Sequence, residues 1–238
     1  MKCAQLAIGM LAAGLLGSAA QAGVVCIDDF QTGAFNDTKT LVNTYYAQQA
    51  GSMFGGQRDV RYAIVANQFG LSSDVVIGNG MTFSANDPGV KGTVALQYDG
   101  SGEAEADGNP DFVLGNGLNA DWSGAPSIDI DFLFIDRGFD VRIVLCTYGA
   151  GTNVIGESVI EQSVLKAEAA YTESFLLAAA VPTIGGGVDL SNVDSLTIYF
   201  NDKAVSAVDF GISKIYVPTP GAAGLLAMGG LVGIRRRR

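Results

Sequence analysis

Residues 127–134 read Ser-Ile-Asp-Ile-Asp-Phe-Leu-Phe, an alternation of apolar and acidic side chains that ends in an apolar run. A period of two is typical of a β-strand that has one face in a core and the other toward solvent. The same period recurs in residues 141–145, Val-Arg-Ile-Val-Leu, and in residues 194–201, Asp-Ser-Leu-Thr-Ile-Tyr-Phe-Asn. These three segments predict strands and therefore decide the fold class.

Further strands are predicted by composition and period on both sides of these segments. They are residues 24–30, 59–67, 74–77, 81–84, 93–98, 157–165, 172–177 and 205–216. Glycine-rich and Asn/Asp-rich turn signals separate them, including Gly78-Asn79-Gly80 and Gly185-Gly186-Gly187. Helical periodicity is weak, and its best candidate is a short helix over residues 40–49, with a loop as the alternative.

About ten strands without a βαβ alternation predict one antiparallel β-sandwich. We expect it to be jelly-roll-like, with the first and last strands near each other. Hydrophobic residues make up 48% of the 238 residues and charged residues 16%, so the chain can bury a core of this kind.

The chain contains no histidine. This excludes Ser-His-Asp and Cys-His nucleophilic catalysis and zinc sites that use imidazole. Glycoside hydrolysis needs only two carboxylates at a suitable distance, but among 24 acidic residues some pair always meets that condition. We therefore expect no enzymatic activity.

Charge is distributed unevenly along the sequence. Lys2 and the arginines 235–238 are five of the 14 basic residues, and all 24 acidic residues lie between Gly23 and Val217. The body between the two ends thus has nine basic and 24 acidic side chains, which disfavours binding to nucleic acid. The acidity is explained either by solubility or by association with cations or a polyhydroxylated matrix.

The first 22 residues have the pattern of a secretory signal peptide. Lys2 precedes an apolar run over residues 6–16, and Ser-Ala-Ala-Gln-Ala ends at Ala22. We expect signal peptidase to cut between Ala22 and Gly23.

The last 22 residues, 217–238, have three parts. Val-Pro-Thr-Pro-Gly, which includes Pro218, Thr219, Pro220 and Gly221, is followed by the apolar residues 222–234 and four arginines. The apolar part is short for a membrane-spanning helix, and the arginines favour a cytoplasmic end. The pattern predicts a weak membrane-anchor helix.

Residues 217–238 resemble a PEP-CTERM sorting signal, the recognition tail of exosortase substrates in diderm bacteria. Thr219 departs from the commonest form of the motif, which has Glu at this position, and this leaves open which exosortase acts. The resemblance implies export, transient anchoring in the inner membrane, cleavage near residues 218–221 and release to the cell surface or extracellular matrix. An anchor that is never cut is the alternative.

Three segments of the body are also similar to passenger domains that carry this signal. They are residues 55–60, 86–90 and 189–196. Those passengers are uncharacterised secreted β-sandwiches, so the resemblance implies a fold and no active site. It divides the chain into a signal peptide at 1–22, a β-sandwich domain at 23–216 and a sorting signal at 217–238.

Two cysteines, Cys26 and Cys146, remain after removal of a signal peptide that contains Cys3. An even pair in an exported protein predicts a disulfide. Two separate free thiols are the alternative.

The densest acidic cluster predicts a candidate calcium site. Its oxygen ligands would be Glu103, Glu105, Asp107, Asn109 and Asp111. Leu114 stands where an EF-hand requires a bidentate Glu, so a looser site on a loop is the form we expect. A solvated acidic loop is the alternative.

Aromatic residues in polar loops are candidates for stacking against sugar rings. The candidates are Trp122, the only tryptophan, Tyr148, and the pair Tyr45-Tyr46. Trp122 could instead cap the core. The sequence thus predicts an exported, exosortase-sorted surface or matrix protein with a structural or adhesive role. A carbohydrate-binding module for extracellular polysaccharide, with or without calcium, is the alternative. No organic cofactor is expected.

Overall fold

Alternating side chains in this sequence produce strands joined by turns. The computed structural model describes residues 23–101, 116–150 and 153–219. Within these ranges the strands are β1 (Val24–Asp28), β2 (Phe35–Lys39), β3 (Asn43–Ala50), β4 (Gln57–Ala66), β5 (Ser73–Gly78), β6 (Met81–Asn86), β7 (Lys91–Tyr98), β8 (Ser127–Ile135), β9 (Phe139–Tyr148), β10 (Val154–Val164), β11 (Tyr171–Leu176), β12 (Val181–Ile184), β13 (Ser195–Phe200) and β14 (Phe210–Pro218). A short 3₁₀ helix, Leu177–Ala179, follows β11.

The strands form two antiparallel sheets. Sheet A has the order β11-β8-β14-β6-β5-β2, and β1 pairs with β14 beside this path. Sheet B has the order β12-β10-β9-β13-β7-β4-β3. The chain passes between the sheets repeatedly, and the prediction of an all-β, antiparallel sandwich is confirmed.

The core lies between the sheets and follows the period of two. In β13, Leu196, Ile198 and Phe200 are fully buried, as the alternation predicted. Phe200 and Phe139 each pack against Phe210 of sheet A, with ring centroids 5.3 and 5.1 Å apart. Aromatic and branched apolar side chains from both sheets thus hold the sandwich together.

A buried ion pair also connects the two sheets. Arg58 of β4 donates from Nη1 to Asp28 Oδ2 of β1 at 2.5 Å, and its exposed fraction is 0%. Nε donates to Gln49 Oε1 at 3.2 Å and Nη2 to the Gly33 carbonyl at 2.5 Å. The Tyr98 hydroxyl also donates to Asp28 Oδ2, at 2.9 Å, and is its second donor. The buried guanidinium therefore has carboxylate, amide and carbonyl acceptors in one network.

The first and last described strands are neighbours, as predicted. Val24 faces Pro218 in the register of β1 and β14. Beyond this pair, the Thr219 amide donates to the Gly23 carbonyl at 3.0 Å. Both ends of the described domain therefore leave sheet A at the same point.

The predicted short helix over residues 40–49 is wrong. Asn43–Ala50 form β3, which pairs with β4 along its whole length and is the edge strand of sheet B. Two adjacent tyrosines and Thr44 suit a pleated surface better than a helix, and pairing with β4 satisfies the backbone. The residues on the outward side of this strand contribute to the candidate site.

Candidate functional site

The outward side of sheet B has a row of residues that crosses six strands, and all but one of their side chains are large. The register places its members directly beside one another from β3 to β10. We call it the tyrosine row: Tyr46, Arg61, Ala95, Tyr199, Arg142 and Glu161. Neighbouring strands lie about 4.8 Å apart, so the two tyrosines stand about 14 Å from each other along the row.

A second row lies two residues away along the same strands. We call it the glutamine row: Gln48, Asp59, Gln97, Thr197, Val144 and Val159. It is polar over the first four strands and apolar over the last two. The outward side of sheet B thus combines aromatic rings, guanidinium groups and hydrogen-bonding side chains in one surface.

Both rows face outward because the alternate residues of the same strands point into the core. In β4, Val60, Tyr62 and Ile64 enter the core, so Asp59 and Arg61 project to the other side. The same alternation in β13 sends Thr197 and Tyr199 outward between its three core residues. Core packing therefore holds the backbone beneath both rows.

Tyr199 lies between charged side chains in the tyrosine row. The guanidinium carbon of Arg142 lies 4.2 Å from the centroid of the Tyr199 ring, and Arg142 Nε lies 3.2 Å from Asp202 Oδ2. Burial raises the pKa of Tyr199, while Arg142 and Arg61 act to lower it. The hydroxyl therefore stays protonated at neutral pH and can donate or accept a hydrogen bond.

Two buried polar side chains lie in the glutamine row. Gln97 is 3% exposed, and its Oε1 has no hydrogen-bond partner among the described residues. Asp59 is 4% exposed, and burial raises the pKa of its carboxyl, against the opposing effect of hydrogen bonds from Gln48 and Gln57. A buried acceptor without a donor is unfavourable, so a hydroxyl that reaches Gln97 would gain a hydrogen bond.

A groove of about 510 Å³ continues this surface beyond Arg142. Its lining comes from β9, β10, β12 and the 3₁₀ helix: Arg142, Glu157, Val159, Glu161, Ala179, Val181 and Thr183. The Thr183 hydroxyl donates to Glu157 Oε1, which fixes that carboxylate. The groove adds acidic and apolar groups to the end of the tyrosine row.

Flat aromatic faces beside hydrogen-bonding groups are a surface on which a chain of sugar rings can bind. A tyrosine ring offers an apolar face, and arginine, glutamine and threonine offer donors and acceptors for hydroxyl groups. The described charged groups of this surface are not arranged as a nucleophile beside a base. The arrangement therefore favours binding over chemistry.

Trp122 does not lie on this surface: of the two sequence-based interpretations, stacking against a sugar is wrong and the alternative, a cap on the core, is confirmed. It is 3% exposed and belongs to the hydrophobic core. Its amide donates to the Leu190 carbonyl at 2.7 Å, and the preceding Ala120 pairs with Val193. These backbone contacts dock the loop onto the start of β13, so the indole caps the core.

Tyr148 lies at the end of β9 on the outward side of sheet B, four residues beyond Val144 of the glutamine row. It is half-buried, and burial raises the pKa of its hydroxyl well above the usual range, with Ser195 opposing this rise. Tyr46 belongs to the tyrosine row, whereas the ring of Tyr45 packs on Tyr62 with centroids 5.8 Å apart.

The predicted disulfide is also wrong. Both Cys26 and Cys146 are free thiols, the first exposed and the second buried. Cys26 is in β1 of sheet A and Cys146 is in β9 of sheet B, and both side chains point away from the core. The full thickness of the sandwich therefore separates them, which no disulfide can span.

Several predicted residues fall outside the described part of the chain. The candidate calcium ligands Glu103, Glu105, Asp107, Asn109 and Asp111 are among them, as are Ala22, Pro220 and Gly221. Among the described residues no three acidic or cysteine side chains form a group that could hold a metal ion. Within that part of the chain no helix has the length and apolar character to cross a membrane.

Sequence reasoning missed the residues that the sheet brings together, above all Arg61, Gln97 and Tyr199. The sequence contains one signal for Tyr199: the alternation in residues 194–201 places it on the side of the strand that faces away from the core. The neighbours of Tyr199 depend on the pairing of β13 with β7 and β9, and this pairing cannot be read from the period.

Comparison with known proteins gives similar folds at low identity. No protein-family model matches the sequence, and no curated protein matches it. The family 11 carbohydrate-binding module from Clostridium thermocellum, in complex with a β-1,3-1,4-mixed-linked tetrasaccharide, is 16% identical, with 82% of this chain and 95% of that chain covered and a TM-score of 0.41.

Two further solved structures are similar in the same way. The solution structure of CtCBM11 is 14% identical, with 84% and 98% of the two chains covered and a TM-score of 0.46. A family 29 carbohydrate-binding module from Piromyces equi is 10% identical, with 77% and 90% covered and a TM-score of 0.33. At these identities and TM-scores the similarity carries no argument about a ligand.

Proposed function

We propose that this protein is a non-enzymatic polysaccharide-binding protein, built on a jelly-roll-like sandwich, whose ligand lies along the outward side of sheet B. The observation that carries the proposal is the tyrosine row, in which Tyr46 of β3 and Tyr199 of β13 lie about 14 Å apart across one sheet. An extended glycan that spans several sugar units can contact both side chains. The adjoining glutamine row supplies donors and acceptors for the hydroxyl groups.

The buried amide of Gln97 supports the same assignment. Its Oε1 lies under the surface between the two tyrosines without a partner among the described residues. A sugar hydroxyl is a donor of the size and polarity that such an acceptor can bind. The predicted role as a structural or adhesive component then follows from attachment to polysaccharide.

The experiment compares two tyrosines of matched environment in the full-length protein. Tyr199 lies under Arg142 on sheet B, and Tyr216 lies under Lys214 on sheet A, with the ammonium 5.0 Å from its ring centroid. Binding is measured by affinity electrophoresis on a panel of soluble polysaccharides that includes β-1,3-1,4-mixed-linked glucan, the type of ligand bound by the family 11 module.

We expect Tyr199→Ala to weaken binding about tenfold or more, since an aromatic contact at the centre of a site carries a large share of the affinity. Tyr216→Ala should bind like the unmodified protein. Equal affinities of the two variants, with both still folded, would contradict the assignment of the face. Absence of binding to the whole panel would contradict the function.

We also propose that the protein is exported, held briefly in the inner membrane and released by an exosortase to the cell surface or extracellular matrix. Supporting this, Gly23 and Thr219 lie side by side at one end of the domain, and β14 ends at Pro218. Cuts after Ala22 and near residues 218–221 would leave every described strand intact.

The delivery proposal is tested by the intact mass of the protein from membrane and culture-medium fractions of its host. Loss of the first 22 residues and of about the last 20, with the product outside the cell, is the expected result. A membrane-bound product that still ends in Arg238 would show a permanent anchor instead.

A further inference from the structure

Arg61 is a half-buried cation in a strongly acidic protein, and it makes no ion pair with any carboxylate in the described ranges. Asp59 is on the same strand and the same side, but its hydrogen bonds are with Gln48 and Gln57. Partial burial of a guanidinium without an anion is unfavourable. Among the described residues, this position therefore lacks a negatively charged partner.

A second guanidinium lies on the other side of Tyr199. In the tyrosine row, Arg61 is separated from Tyr199 only by the methyl group of Ala95, and Arg142 follows directly after Tyr199. Asp202 forms an ion pair with Arg142, with Oδ2 3.2 Å from Nε, although the geometry is not that of a hydrogen bond. Two cations thus flank one phenol, and a described carboxylate pairs with only one of them.

The remaining acidic groups of this surface that the structure describes do not lie beside Arg61. Glu161 faces Arg142 at the far end of the row, and Glu157 accepts the hydroxyl of Thr183 in the groove. Both are on β10, and three strands lie between β10 and β4. Ala95 itself is buried, so an anion would lie above it, with the Arg61 guanidinium on one side and the Tyr199 hydroxyl on the other.

We propose that the glycan bound by the outward side of sheet B is anionic, and that its acidic group sits between Arg61 and Tyr199. This inference rests on the proposed function, since it names the class of ligand for the same face. A carboxylate or a sulfate matches the planar fork of donors on a guanidinium, and the sugar ring that carries it lies against the tyrosine row.

The acidity of the whole domain does not prevent this contact. At physiological ionic strength charges are screened over about 8 Å, so the groups within one or two side chains of the ligand dominate. Arg61 and Arg142 are those groups here. The acidic body should instead reduce non-specific binding of other polyanions.

The test uses full-length protein and two pairs of polymers, at physiological salt and with a calcium chelator. Polygalacturonate is compared with its carboxyl-reduced form, and dextran sulfate with dextran, so each pair differs in the anionic group alone. The variants are Arg61→Gln and, as a control for the loss of one positive charge away from the two rows, Arg137→Gln, whose Nη1 donates to the Ser206 carbonyl at 2.9 Å. Thermal unfolding verifies that each variant is folded.

We expect the unmodified protein to bind one charged polymer about tenfold more tightly than its neutral partner, and the pair that shows this preference identifies carboxylate or sulfate. Arg61→Gln should abolish the preference and keep the weaker binding to neutral polymer, while Arg137→Gln keeps both. Equal binding to charged and neutral polymers, or a preference that survives in Arg61→Gln, overturns the inference and leaves the proposed function standing. Binding to none of these polymers or to neutral glucan overturns both.

Discussion

Replacement of Arg58 by methionine tests whether the buried ion pair holds the two sheets together. The substitution keeps most of the apolar stem and removes a guanidinium that contacts Asp28, Gln49 and Gly33. The Asp28 carboxylate is 2% exposed and would lose its only described cationic partner. Loss of one partner from a buried pair costs about 3–5 kcal/mol, and we expect Arg58→Met to fall in this range.

The assay is urea unfolding, from which the free energy of unfolding is obtained for each variant. In a domain of this size the same loss lowers the melting temperature by about 10 °C. The double variant Asp28→Asn with Arg58→Met removes both charges and should be more stable than Arg58→Met alone, since no uncompensated carboxylate remains. A loss below about 1 kcal/mol in Arg58→Met, or a double variant that is no more stable, would refute the reasoning.

Three further predictions concern single side chains. Trp122→Ala should lower the free energy of unfolding by about 3–5 kcal/mol, because the indole is core, while glycan affinity of the folded protein is unchanged; a loss of affinity without a loss of stability would place the indole in the site after all. Native protein at pH 8 should be alkylated at Cys26 but at Cys146 only after unfolding, since burial raises the pKa of the Cys146 thiol to about 11; peptide mass spectrometry distinguishes the two, and equal labelling would be inconsistent with the fold. Burial raises the pKa of Asp59, so the folded state holds this proton more tightly than the unfolded state, and the associated stability is lost as pH rises from 3.8 through the raised pKa. The stability of Asp59→Asn relative to the unmodified protein should therefore increase over this pH range, and a difference independent of pH would be contrary to this assignment.

The strands with a clear period of two were predictable from the sequence. Residues 127–134, 141–145 and 194–201 form parts of β8, β9 and β13. In contrast, β2, β3 and β12 were missed, and all three are edge strands. An edge strand has half of its backbone unpaired and few core contacts, so its composition is less apolar and its period is weak.

The candidate site could be predicted only in part for a related reason. Period shows that Tyr199 faces away from Leu196, but the position of Arg61 beside it depends on which strands pair and in which register. The same limit explains the predicted disulfide. Composition shows that Cys26 and Cys146 are an even pair, and only the assignment of β1 and β9 to different sheets shows that they are far apart.

The pairing of β1 with β14 has a mechanical consequence. Because the two strands are antiparallel and their free ends lie together, a force that draws Gly23 away from Thr219 acts along the ladder of hydrogen bonds. The bonds then open one after another, and little force is needed. A polymer bound to sheet B instead pulls against both ends of the domain together. The tension then runs through β1 and β14 in parallel, and the hydrogen bonds between these two strands carry no load. The domain should thus withstand pulling on a bound polymer far better than stretching between its own termini.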